Sequence, residues 1–124
     1  MIDSAKLCGF VQVNDRAKAK TFYTEVVGLK FKSEDPFALT VVSNGTSIRI
    51  GEMPDFKPAQ YTVLGWEVPD IEAAFAELTG RGVEFKNFGF PGQDERGIWT
   101  TPNGDKVAWF TDPTGNVLSI AQHV

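Results

Sequence analysis

Two side chains decide which covalent chemistry this chain can perform: Cys8, its one cysteine, and His123, its one histidine. A Cys-His or Ser-His-Asp nucleophile needs an imidazole held in a fixed place beside it, and His123 is the penultimate residue, where chains fray. No histidine neighbours Cys8 in sequence to draw its thiol toward the thiolate, so Cys8 reads as a small apolar strand residue. The remaining candidates point to binding. Trp99, Trp109 and Phe10 offer flat apolar surface, and Arg49 and Glu67 are charges set in strand-like segments. Arg49 and Glu67 can neutralise each other, or each can orient a group of opposite charge on a ligand. An aromatic-walled cavity with few polar anchors is the usual construction of a small-molecule site. The structural use of the same residues is plainer: rings that fill a sheet interior, and charges at solvated strand edges.

These residues need strands to position them, and the strands come in a repeated unit. Gly9 to Lys32 reads GFVQVNDRAKAKTFYTEVVGLKFK, and Leu64 to Lys86 reads LGWEVPDIEAAFAELTGRGVEFK. In both, an apolar strand ends in valine (Val13, Val68), an aspartate follows two residues later (Asp15, Asp70), and a helix-length segment leads to a glycine (Gly28, Gly82). The aspartates lie 55 positions apart and the glycines 54, so the register holds to one residue. A duplicated β-α-β module is the simplest account.

Leu7 to Val13 alternates in the period of a two-faced strand. Asp15 and Asp70 stand where helix N-caps belong. Ala19, Phe22, Tyr23 and Val26 mark one apolar helix face, and Ile71, Ala74, Phe75 and Leu78 mark another. Leu29 to Ser33 is expected as a strand, and Phe37–Val42 with Thr46–Glu52 flank the hairpin signal Asn44-Gly45. Pro54 to Pro58 is linker-like and falls between the copies. In the second copy Tyr61–Val68 opens as a strand and Val83–Lys86 returns as one. Asn87 to Glu95 is a Gly/Pro loop carrying Phe88 and Phe90. Gly97–Thr101 and Lys106–Thr111 flank a second Asn-Gly, Asn103-Gly104, as if the first hairpin were repeated. Asp112–Asn116 is a tight turn before a last strand, Val117–Gln122.

Strand parity sorts the site residues. Leu7, Val11, Val13, Leu64, Trp66 and Val68 should pack under the helices, while Cys8, Phe10, Gln12, Val63, Gly65 and Glu67 face a cleft. On the last strands Trp99, Thr101, Val107, Trp109, Val117 and Ser119 point the same way, with Phe110, Leu118 and Ile120 under a helix.

At 124 residues the chain is expected to be a single domain, 1–124, with module one at about 5–53 and module two at about 60–123. That length buries roughly two-thirds of the unfolded surface without a staple. One cysteine excludes an intramolecular disulfide, and no apolar run approaches the length of a membrane span. Met1 to Lys6 lacks the basic and apolar regions of a signal peptide, so a cytoplasmic location is expected. The net charge is −4, with lysines and arginines scattered rather than striped, which argues against a nucleic-acid partner.

The segments VNDRAKAKTFYTEVVGL, VPDIEAAFAEL with RGV, and VAWFTDPTGNVLSIAQ resemble the vicinal oxygen chelate superfamily, the group of glyoxalase I, bleomycin-resistance proteins, fosfomycin-modifying enzymes and extradiol dioxygenases. The likeness covers nearly the whole chain, and the DPxGN turn is its most specific part. It implies an α+β fold in which two β-α-β-β-β modules form a barrel-like curved mixed sheet with helices outside. It also implies a homodimer, with the pocket completed by the second subunit in some branches. Enzymes of the family hold a divalent metal with His, Glu or Gln from four strands. Those positions fall at or near Cys8, Arg49, Val63 and Ser119 here. Valine has no donor, arginine is a permanent cation, and a serine hydroxyl is a poor ligand without a carboxylate beside it. The expectation is therefore a protein without metal or other cofactor that binds an aromatic or antibiotic-like small molecule through Cys8, Phe10, Gln12, Arg49, Val63, Glu67, Trp99, Trp109 and Ser119. The alternative is a glyoxalase-type lyase or isomerase, or a dioxygenase-like enzyme, using a metal held by other residues or an acid-base group such as Glu67.

Overall fold

A computed structural model describes the whole chain, residues 1–124. The fold is α+β and consists of two compact units, Met1–Pro58 and Ala59–Val124. The first contains β1 (Cys8–Val13), α1 (Arg16–Thr21), β2 (Lys30–Glu34), β3 (Leu39–Ser43) and β4 (Thr46–Glu52). The second contains β5 (Thr62–Glu67), α2 (Ile71–Gly80), β6 (Trp99–Thr100), β7 (Lys106–Thr111) and β8 (Val117–Gln122). Their sheets have the same order, β1-β4-β3-β2 and β5-β8-β7-β6. In each, the first and last strands of the unit pair in parallel and the other neighbours are antiparallel. Both sheets are curved and neither closes on itself. No helix is long and apolar enough to cross a membrane.

The repeat is visible in backbone detail. Asp15 (φ −149°, ψ 104°) caps α1 by accepting from Lys18 N, and Asp70 (φ −144°, ψ 102°) caps α2 by accepting from Glu72 N and Ala73 N. Each cap satisfies amides that have no partner inside the helix. After each helix the chain reverses at a glycine with positive φ, 88° at Gly28 and 96° at Gly82. The first helix is the less regular. Beyond Thr21 it widens into a π turn at Phe22–Val26, in which Val27 N donates to Phe22 O at 2.9 Å. That turn sets the fully buried Tyr23 against the sheet.

In the first unit Ala19 and Tyr23 are buried with Val11, Val13, Leu39, Val41, Ile48 and Ile50. In the second, Ile71, Leu78, Ala108, Phe110, Leu118 and Ile120 are buried, and Phe85 joins helix to sheet, stacking on Phe75 at 4.3 Å and meeting Phe110 at 5.5 Å. Full burial of such side chains stabilises the fold by about 1.5–3 kcal/mol each.

Four expectations are corrected. Leu7 is not under a helix: it precedes β1, where no ladder fixes its direction, and is 76% exposed. Val83–Lys86 is not a strand, because its only sheet bond is Lys86 N to Trp109 O at 2.8 Å before the chain leaves into the loop that follows. The expected strand Gly97–Thr101 shrinks to Trp99–Thr100. By sheet order the counterpart of the Asn44-Gly45 turn between β3 and β4 is the Asp112–Asn116 turn between β7 and β8, whereas Asn103-Gly104 joins β6 to β7. In the Asp112 turn, one carboxylate oxygen accepts from the amides of Thr114, Gly115 and Asn116, each at 2.9 Å, and the other accepts from Asn116 Nδ2. This buried network locks the β7–β8 register.

Candidate functional site

In the second unit the face away from α2 is built in rows. Gly65, Ser119 and Trp109 face one another across β5, β8 and β7, and Glu67, Ala121, Val107 and Trp99 form the next row. Trp99 and Trp109 lie 6.1 Å apart between ring centroids at 31°. A Cβ on Gly65 would lie 2.7 Å from Ser119 Oγ, so the glycine leaves the nearly buried serine room beside Trp109. Val63 differs from expectation. It is the extra residue of a bulge between the pairs Thr62–Val117 and Leu64–Leu118, so strand parity does not place it in either row.

Two rings from the loop complete this face. Phe90 meets Trp99 at 6.2 Å and Trp109 at 5.9 Å, both edge-on, and Phe88 meets Trp109 at 5.8 Å and Phe90 at 5.3 Å. Phe88 and Phe90 remain 50% and 44% exposed, so the four rings present apolar surface to solvent. A contiguous exposed apolar cluster, unlike apolar residues scattered singly, is a candidate interaction surface. The Trp99 indole N–H donates to Pro91 O at 3.0 Å, which fixes that ring from within the loop and leaves its N–H satisfied without a ligand.

The loop is held by side chains rather than by a ladder. Gln93 Oε1 accepts from the amides of Phe88 (2.8 Å) and Phe90 (3.3 Å), while Gln93 Nε2 donates to Gly97 O (2.8 Å) and Lys86 O (3.2 Å). Asp94 Oδ1 accepts from the amides of Arg96, Gly97 and Ile98 at 2.9–3.0 Å. Gly97 must be glycine, since a Cβ there would lie 2.6 Å from Lys86 O and its φ is 104°. Arg96 ties the loop to α2 through a two-pronged bond to Glu72 (2.6 and 3.0 Å) and a 3.0 Å bond to Asp94. The Arg96 hydrogen bond holds the Glu72 carboxyl below its ordinary pKa. For Asp94, burial pushes the carboxyl up, but Arg96 and the loop amides outweigh it and the net shift is downward.

Glu67 does not stand free beside the rings. His123 Nε2 lies 3.2 Å from Glu67 and His123 Nδ1 3.1 Å from Asp105, while Val124 N donates to Asp105 at 2.9 Å. Hydrogen bonding to Asp105, joined by the charges of Asp105 and Glu67, raises the His123 pKa above its ordinary value of 6.5. His123 is therefore a clasp between Glu67 and Asp105 and not a frayed residue.

In the first unit, parity places Cys8, Phe10 and Gln12 on the face away from α1. Phe10 pairs with Arg49, which pairs with Thr40, and Cys8 pairs with Ser47. Gln12 lies across Gly51, where any Cβ would collide with its amide. Phe10 is 75% exposed and Cys8 is exposed. A cavity of about 250 Å³ opens here between Cys8, Arg49, Thr40, Ser47 and neighbouring residues. The sequence-derived site residues thus fall into two sets, with Cys8, Phe10, Gln12 and Arg49 in one unit and Glu67, Trp99, Trp109 and Ser119 in the other. Sequence reasoning missed Phe88, Phe90 and Gln93 as site builders, although two aromatics in a Gly/Pro loop were a usable signal.

The residues at the four positions implied for a metal do not fit a divalent cation. Cys8 and Arg49 pair a thiol with a permanent cation, and Val63 and Ser119 pair an alkyl group with a hydroxyl. No group of three or more His, Cys, Asp or Glu side chains has the geometry to hold an ion, and in the one clasp that resembles such a group the imidazole sits between the two carboxylates.

Two mixed β-α-β-β-β units of identical strand order define the vicinal oxygen chelate class of fold. The model of the Glyoxalase/Bleomycin resistance protein/Dioxygenase superfamily matches residues 7–120, and the chain belongs to that superfamily. Among solved structures it is similar to TnmS3, an antibiotic binding protein from Streptomyces sp. CB03234, at 30% identity and a TM-score of 0.75 over 100% of this chain and 99% of that one. A superfamily member from Sphaerobacter thermophilus DSM 20745 is 28% identical, with a TM-score of 0.73 over 99% and 100% of the two chains. The lactoylglutathione lyase of Agrobacterium tumefaciens shares the fold at 15% identity, with a TM-score of 0.71 over 96% and 93%. No curated protein matches the chain.

Proposed function

We propose that this chain is a metal-free binding protein that captures a flat aromatic, antibiotic-like small molecule on the ring face of its second unit. The observation that carries this reading is the half-open cluster of Phe88, Phe90, Trp99 and Trp109, held in place by the Gln93 scaffold. A planar ligand stacked on one of these rings gains about 0.5–1.5 kcal/mol beyond the area it buries. The likeness to an antibiotic binding protein supports the ligand class, and the donor chemistry at the implied metal positions supports binding without a cation. The protein works in the cytoplasm as a homodimer, and an acidic chain of net charge −4 suits neither nucleic acid nor an anionic membrane surface.

A panel of planar aromatic antibiotics, titrated against tryptophan fluorescence with metal analysis of the same preparation, tests the proposal. Saturable quenching by at least one compound, unchanged by chelator, is expected. Stoichiometric transition metal whose removal abolishes binding overturns the metal-free reading, and the absence of quenching by any planar compound overturns the ligand class. Sedimentation at tens of micromolar protein tests the dimer, which a monomer contradicts.

A further inference from the structure

The cavity of about 250 Å³ in the first unit has a charge character that the aromatic face does not explain. Its wall carries Lys6 ahead of β1, Lys32 on β2 and Arg49 on β4, and no carboxylate lines it. Ser33, Thr40 and Ser47 line the same cavity. Arg49 is half-buried, and it is the one arginine of the chain outside an ion pair: Arg16 pairs with Glu34, Arg81 with Glu77, and Arg96 with Glu72 and Asp94. The Asp35 carboxylate feels the charge of Arg49 but is already engaged by the amides of Phe37 and Ala38 at 2.8 and 2.9 Å. A half-buried guanidinium without a carboxylate partner, in a cavity whose wall also carries two lysines and three hydroxyl side chains, is suited to a small oxyanion, which it can grip with two parallel N–H bonds. Phe10 is the β1 neighbour of Arg49 across the ladder and is 75% exposed. An aromatic ring attached to the anion has a surface to lie against.

We infer that the first unit carries an oxyanion site of its own, in which Arg49, assisted by Lys6 and Lys32, binds the carboxylate or phosphate group of a small aromatic acid while Phe10 packs on its ring. Every residue of this site belongs to the first unit, Met1–Pro58.

Benzoate, phenyl phosphate and the neutral benzamide, titrated separately into the full chain and followed by amide NMR shifts, test the inference. Saturable shifts at Cys8, Phe10, Thr40 and Arg49 are expected with at least one of the two anions, which identifies the oxyanion, at an affinity about tenfold or more above that of benzamide. Arg49→Gln should lower the affinity about tenfold or more, and Arg49→Lys, which keeps the charge but loses the fork, should fall between. The inference is overturned if neither anion saturates, if benzamide binds as well as the anions, or if Arg49→Gln, folded by the same spectra, retains parental affinity.

Discussion

Gln93→Ala is the sharpest perturbation of the aromatic face because it leaves every ring in place and removes only hydrogen bonds to backbone groups. The Gln93 amide makes two short bonds of 2.8 Å, to Phe88 N and Gly97 O, and two longer ones of 3.2 and 3.3 Å, to Lys86 O and Phe90 N. At about 1 kcal/mol net for each short bond and less for the long ones, removal costs about 2–3 kcal/mol. With a urea slope in the usual range for a small protein, the unfolding midpoint should fall by roughly 1–2 M. Phe88 and Phe90 lose their fixed amides, so tryptophan emission should shift to the red in the folded baseline, and planar ligands should bind more weakly. Gln93→Glu sharpens the test. It keeps the acceptor for Phe88 and Phe90 but turns an anionic oxygen toward the carbonyls of Lys86 and Gly97, so it should be destabilised at neutral pH and recover in acid. A Gln93→Ala protein within about 0.5 kcal/mol of the parent, as for an ordinary surface change, refutes the scaffold role.

Asp15→Ala and Asp70→Ala should each cost about 1 kcal/mol by urea unfolding as lost helix caps, and parental stability in both contradicts the cap assignment. His123 has a raised pKa, so the stability from its clasp is fully present below 6.5 and is lost as pH rises through the folded value. NMR titration should find that pKa above 6.5 in the parent and closer to 6.5 in Asp105→Asn, and an unchanged value in the variant contradicts the clasp. Glu72 has a lowered pKa, caused chiefly by its hydrogen bond to Arg96. Its contribution is present above the ordinary value of 4.5 and is lost as pH falls through the folded value, so Arg96→Gln should flatten the acid limb of the stability profile, and an unchanged limb counts against the ion pair.

The duplicated frame was legible because its signals are local. Asp15 and Asp70 cap, Gly28 and Gly82 reverse the chain, and Asn44-Gly45 turns β3 into β4, each through the conformational preference of one or two residues. Strand parity likewise placed Trp99, Trp109 and Ser119 on the face away from α2, and Cys8 and Phe10 on the face away from α1. Parity failed at Val63, where a bulge adds a residue, and at Leu7, which lies outside any ladder. The segment after α2 was misjudged for a different reason. Val83–Lys86 has the composition of a strand, but its one sheet bond is Lys86 N to Trp109 O, and the Gln93 side chain takes up Lys86 O, a role that depends on the closed geometry of the loop. The clasp at His123 was hidden for the same reason, since Asp105 and Glu67 meet it only after β5, β7 and β8 have assembled.

The central claim is that the ring face of the second unit binds a planar ligand, and the affinities of Trp109→Phe and Trp66→Phe for one quenching compound test it most directly. Trp109 stands among the open rings, whereas Trp66 pairs with the buried Ile120 on the opposite face of the sheet. Trp109→Phe should reduce the quenching and weaken binding by about 2–10-fold, the equivalent of one stacking contact, while Trp66→Phe should keep parental affinity and lower the urea midpoint. Parental affinity in Trp109→Phe, with loss of stability as its only effect, would show that the ring is core and contradict the account.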